Sequence, residues 1–252
     1  MEAYTAILEA AEYVKKSRRT VAFTGAGISV GSGLMTFRGK DGIWKRFDPA
    51  EVGSIQAFLE NPERFWRFAR EIGPELLGSK PNPAHLALTQ LQHLGLLGSI
   101  ITQNIDGLHQ AAGSVDVIEL HGNIRSVSCV SCQAVTPSSS HPHILDQHSV
   151  PRCDACGGLL RPDIVLFGEK LPQEAYTLAL RRVRSCTLLL TIGTAMEVSP
   201  ASDLPLIAKE GGARIININP SPSEADNYAD FSLYGPSEEI VPRIVHALNV
   251  IL

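Results

Sequence analysis

No stretch of this 252-residue sequence stays apolar long enough to cross a bilayer. Its longest apolar runs are of the size of Leu-Leu-Leu-Thr-Ile at 188–192, against the roughly 20 residues of a spanning helix. No Lys/Arg-rich block is present and the formal net charge is −4, so neither nucleic acid nor a membrane is expected as a partner. The first segment, MEAYTAILEAAEYVKKSRR, carries its positive charge after its apolar residues. A secretory signal has the reverse order, so a cytoplasmic location is expected. Cysteine is scarce, and an odd count of five argues against a secreted disulfide framework. No internal repeat is found.

What is present is enough for a core: 44% of residues are hydrophobic and 19% charged, as in one large domain or one domain with a smaller insert. Short apolar strands alternate with amphipathic helices. Strands are expected at 20–24, 99–103, 188–192 and 214–218, and helices at 3–17, 82–95, 173–184, 200–210 and from Ser237 onward. That alternation predicts an α/β fold with a doubly wound parallel sheet covered on both faces. A helical excursion is expected over about 48–80. Residues 125–161 break the pattern, being polar, rich in turns and too poor in large apolar residues to fold without a staple.

The staple is in the same segment. Cys129 and Cys132 are two residues apart, as are Cys153 and Cys156, with twenty residues between the pairs. Each pair lets one tight turn present two sulfurs to a tetrahedral ion, as in a zinc ribbon. Four thiolates leave no position for water, so the predicted zinc is structural. The expected positive φ of such turns falls to Gly157-Gly158. Cys186 reads as a small buried hydrophobe.

Other motifs follow strands, where open α/β sheets bind ligands. Thr24-Gly-Ala-Gly-Ile-Ser29 offers backbone amides to a pyrophosphate. It departs from the ordinary dinucleotide fingerprint, because Val30 stands at the third glycine position. No helix start is evident there, and 32–44 reads as a long loop that closes over a ligand. Asn104 and Asp106, after strand 99–103, either face the cleft or cap the next helix. His121 ends a short apolar stretch; an imidazole of pKa about 6.5 suits a general base, although a lone histidine is more often structural. His109 is its rival, expected on a helix leading away.

Taken together, TGAGIS…SGLMTFRG, TQNID, LHG, the two cysteine pairs, IVLFGE, GTA and NIN stand in the order and approximate spacing of the sirtuin family, over roughly residues 10 to 245. The resemblance implies a Rossmann-like NAD-binding domain (1–124 and 162–252) carrying a zinc module (125–161). It implies that NAD contacts Gly25, Ala26, Gly27, Ile28, Phe37, Arg38, Gln103, Asn104, Ile105, Asp106, Gly193, Thr194, Asn217, Asn219 and Ser237. His121 is implied as the catalytic base, with Asn104 and Asp106 fixing the ribose and a water. Val165, Phe167, Gly168 and Glu169 are implied to pair with an acylated-lysine peptide by β-augmentation. The implied reaction removes acetyl or another neutral acyl group from protein lysine, consuming NAD and giving nicotinamide and O-acyl-ADP-ribose. Mono-ADP-ribosyl transfer or NAD hydrolysis at the same site is the alternative.

Two departures stand out. Met35 replaces the family's usual proline in the cofactor loop, and Ala195 replaces a Ser or Thr. At the positions where sirtuins that prefer acidic acyl groups carry Tyr and Arg, this chain has Ala69 and Ile72. With no cation there, neutral acyl groups are expected.

Overall fold

A computed structural model describes residues 2–39, 42–146 and 149–251. The strands among them are β1 (Thr20–Thr24), β2 (Ser99–Thr102), β3 (Val117–Glu119), β4 (Gly122–Cys129), β5 (Val135–Pro137), β6 (Leu160–Ile164), β7 (Leu188–Ile192), β8 (Arg214–Asn219) and β9 (Phe231–Tyr234). Six form one parallel sheet in the order β3-β2-β1-β7-β8-β9. The other three form a separate antiparallel sheet, β5-β4-β6.

The central strands β1, β2 and β7 are buried along their whole length. Alternate side chains serve two cores, because successive strand residues point to opposite faces. Ala22, Leu188 and Leu190 pack under helices Glu2–Lys16, Pro83–His93 and Ser237–Ile251, while Val21, Phe23 and Leu189 pack under helices Gln173–Ser185 and Leu204–Glu210. The doubly wound expectation holds.

Strand order departs in opposite directions from β1, toward β2 on one side and β7 on the other. The loops leaving β1 and β7 therefore diverge and open a crevice at their carboxyl ends. The expected excursion is three helices, Pro49–Val52, Ile55–Glu60 and Pro62–Gly78. Contrary to expectation, a 3₁₀ helix, Ala26–Ser32, follows β1 directly, and Gly33 closes it at φ +85°. Among the described residues, no helix is long and apolar enough to cross a membrane.

Candidate active site

The crevice is a cavity of about 1550 Å³. Its floor is backbone against backbone. The Gly27 N–H donates to the Gly193 carbonyl at 2.8 Å, and a Cβ on Gly193 would lie 2.3 Å from the Ile28 nitrogen. Gly193 also has φ +61°, so side chains are excluded there twice over. Gly25, Ala26, Thr194, Ala195, Asn219 and Ser237 complete this end. Asn219 Nδ2 donates to the Thr194 carbonyl at 2.8 Å, which ties the loops after β7 and β8 together.

Beyond β2, Gln103 Nε2 donates to Thr194 Oγ1 at 2.9 Å. Asn104 is buried, and its backbone N–H donates to Thr102 Oγ1 at 3.0 Å. Asp106 accepts from Ser29 Oγ at 2.7 Å and from the Leu108 N–H at 2.9 Å. Both residues therefore face the cavity, and Asp106 also caps the short helix Leu108–Ala111. Burial raises the Asp106 pKa; the bonds from Leu108, Ser29 and Asn104 and the charge of Arg125 offset part of that rise. Ile105 lines the wall beside them.

His121 lies between the two sheets. Its Nδ1 is 2.9 Å from the Gln103 carbonyl, which can only accept, so Nδ1 carries the proton and Nε2 keeps a lone pair. Burial lowers the His121 pKa below its ordinary value, against the smaller raising effect of the Gln103 bond. The ring is therefore neutral at neutral pH and able to act as a base. The backbone of His121 accepts from the Val165 N–H at 2.9 Å, so the segment after β6 is anchored to the residue it serves.

That segment carries Val165, Phe167, Gly168 and Glu169, all at the cavity. Glu169 makes two bonds to Arg161, at 2.8 and 2.7 Å, and accepts from the Leu166 N–H at 2.8 Å. Phe167 also meets the loop that follows the 3₁₀ helix. The Trp44 ring lies tilted 5.3 Å from Phe37 and 6.0 Å from Phe167, and Met35 packs in the same apolar cluster as Phe37 and Trp44. Arg38 reaches Glu197 at 3.4 Å. Two expected residues do not line the cavity: Ile28 is in the core, and Asn217 is buried, donating to Asp226 at 2.8 Å.

Trp44 and Glu197 carry no local mark in the sequence, because their contacts with Phe37, Phe167 and Arg38 are tertiary. Ser29 stood inside a recognised motif, and its hydroxyl could have been named from that.

The Sir2 family model matches residues 25–200. The chain belongs to the Sir2 family. The NAD-dependent protein deacylase 2 of Archaeoglobus fulgidus is 43% identical, with 96% of each chain covered. The NAD-dependent protein deacylase of Pyrococcus abyssi is 42% identical over 98% of this chain and 99% of its own. A solved Sir2 enzyme superposes with TM-score 0.94 at 41% identity, covering 100% of both chains. A Sir2 structure holding a deacetylated p53 peptide and 3′-O-acetyl ADP ribose superposes with TM-score 0.89 at 39% identity, covering 94% of this chain and 96% of that one.

The Sir2 cysteine set also fits a metal. The four sulfurs of Cys129, Cys132, Cys153 and Cys156 all lie within 4.8 Å of one another. Cys129–Cys156 is 3.5 Å and Cys132–Cys153 is 3.8 Å, close to the roughly 3.8 Å between sulfurs on a tetrahedral zinc at 2.3 Å. Gly157 has the expected positive φ, +72°. Gly158 serves differently from expectation: a Cβ there would lie 2.9 Å from Cys129 Sγ, so its value is space. An NAD-sized ligand fits likewise, since the cavity exceeds the about 300–1,000 Å³ of most ligand pockets.

Proposed function

We propose that this chain removes acetyl and other neutral acyl groups from protein lysines, with NAD as co-substrate, releasing nicotinamide and O-acyl-ADP-ribose. The observation that carries it is His121, held by Gln103 with a free Nε2 inside a cavity large enough for a dinucleotide and a peptide. When bound, NAD supplies a ribose carbon whose leaving group is nicotinamide.

The residues divide the work. Gly25, Ala26, Gly27, Gly193 and Thr194 offer backbone to the phosphates and ribose; Asn219 and Ser237 hold the adenosine end. Phe37 and Arg38 cover the reacting ribose, and Gln103, Asn104, Ile105 and Asp106 surround the nicotinamide side. His121 Nε2 takes the ribose hydroxyl proton. Val165, Phe167, Gly168 and Glu169 take the acylated peptide as an added strand. Ala69 and Ile72, both at the cavity, offer an acyl chain no cation. Residues 125–161 act as a zinc module on an NAD-binding domain made of 1–124 and 162–252, and the zinc holds structure without touching the reaction.

Mass analysis of an acetyl-lysine peptide incubated with the protein and NAD tests this. Free lysine peptide with equimolar O-acetyl-ADP-ribose is expected. ADP-ribosylated protein, or ADP-ribose without deacetylation, would replace this reading with ADP-ribosyl transfer or NAD hydrolysis.

A further inference from the structure

His121 sits in a turn whose two ends are tied to each other. Glu119 closes β3 before it, and Arg125 follows it in β4. Their side chains meet as a bidentate pair: Arg125 Nη1 donates to Glu119 Oε1 at 2.8 Å, and Nη2 donates to Oε2 at 2.7 Å. Between them the chain passes Gly122, at φ +71°, where a Cβ would lie 2.1 Å from the Asp163 carbonyl oxygen. The turn therefore already presses on the backbone beside β6.

The same pair reaches the second segment of the site. Gln110 Nε2, on helix Leu108–Ala111, donates to Glu119 Oε1 at 2.9 Å. A Cβ on Gly107 would lie 2.8 Å from Arg125 Nη1, so the guanidinium rests on the backbone of the residue after Asp106. Beside it, the Ile124 N–H donates to the Ile105 carbonyl at 3.1 Å. Burial raises the Asp106 pKa, and the Arg125 charge is one of the influences that oppose it. None of Glu119, Gln110 and Arg125 lines the cavity, so their effect on the chemistry must pass through the residues they hold.

We propose that the Arg125–Glu119 pair is a positioning device for the deacylation site, fixing the His121 turn against the loop that carries Asn104 and Asp106. The assignment rests on the deacylase reading and adds a positioning pair to it. Arginine suits the role because its planar fork places two donors on one carboxylate while covering Gly107; a lysine ammonium is a single point charge. The demand on placement is strict, since a shift of about 1 Å in a reacting group can cost on the order of a hundredfold in rate. The pair also gives the cysteine-bearing segment a route to the chemistry, because β4 carries Arg125 and ends in Cys129.

The test assays Arg125→Met, Glu119→Gln and the double variant with an acetyl-lysine peptide and NAD. Each single variant is expected to lower kcat at least tenfold, with the peptide KM within twofold of the parent. The Tm should stay within a few degrees, because the Arg125 side chain is 45% exposed. The double variant should be no slower than the slower single one, as both break the same tie. Arg125→Lys, which keeps the charge and loses the fork, should remain at least threefold below the parent in kcat. Losses that add, a single variant at the parent rate, or full rescue by lysine overturns the positioning role and leaves the deacylase reading standing. Activity lost only where a variant melts below the assay temperature marks the pair as structural and overturns it too. A parent that turns over no acetyl-lysine peptide overturns both.

Discussion

His85 and His109 form a buried pair beneath the active site, and their protonation should be the main acid weakness of the fold. They are 0% and 1% exposed, with ring centroids 4.9 Å apart. Their bonds assign both tautomers. The Asn82 N–H donates to His85 Nδ1 at 3.3 Å, which leaves the His85 proton on Nε2. Thr24 Oγ1 donates to Thr102 Oγ1 at 2.9 Å, so it accepts from His109 Nε2 at 3.0 Å. Thr102 in turn accepts from the Asn104 N–H, so the chain of bonds ends on a site residue. Burial lowers His85 to about 4; burial, with His85 alongside, lowers His109 to about 3. In the unfolded chain both titrate at about 6.5. Below that pH, unfolding takes up two protons, so stability is full above pH 6.5 and is lost as pH falls toward 4. The slope near pH 5.5 is about 2.5 kcal/mol per pH unit, and the loss from pH 7.5 to 4.5 is about 5 kcal/mol. That is comparable to the whole stability of many domains. Urea unfolding at pH 7.5, 6.5, 5.5 and 4.5 reads it directly. His85→Gln and His109→Gln should each remove about half the slope, whatever they cost at neutral pH. Carboxylates titrate alike in all three proteins and cancel in the comparison. Equal slopes in the variants and the parent would refute the reasoning.

Gly193→Ala should raise the KM for NAD more than tenfold and lower the Tm by several degrees. It places a side chain at positive φ, costing about 1–2 kcal/mol, against the Ile28 nitrogen; an unchanged KM for NAD contradicts this. Because burial lowers the His121 pKa, the acid limb of kcat/KM should have its midpoint below pH 6.5, with activity rising as the ring loses its proton. A limb centred above pH 7 would count against His121 as the base. Zinc assay should find one ion per chain. Chelation or Cys153→Ala should lower the Tm and release the small sheet, since structural zinc contributes on the order of 10 kcal/mol to folding such modules; a stripped protein with its full Tm contradicts this.

The parts legible in the sequence are those whose cause is local. Buried parallel strands read as continuous apolar runs, so Leu188–Ile192 was placed to the residue. The cysteine cluster was legible because its spacing is itself the geometric requirement. Strand β9 was not, since its edge position leaves Phe231 and Ser232 half-buried and the run looks ordinary. The 3₁₀ helix after β1 was hidden by glycines that show no periodicity. In the site, Asn104, Asp106 and His121 could be placed by standing after strands. What they contact could not, because Ser29 reaches Asp106 and Asn104, and the Gln103 carbonyl reaches His121, only through the fold. His109 shows the same limit: it lies on a helix as expected, yet its ring turns inward to Thr24.

The central claim is that His121 serves as the base of an NAD-consuming deacylation, and product analysis of His121→Ala with an acetyl-lysine peptide and NAD tests it most directly. The parent should yield free lysine peptide, nicotinamide and O-acetyl-ADP-ribose in equal amounts. The variant should keep its Tm and lose deacetylation by at least a hundredfold. A folded variant that deacetylates at the parent rate would contradict the account.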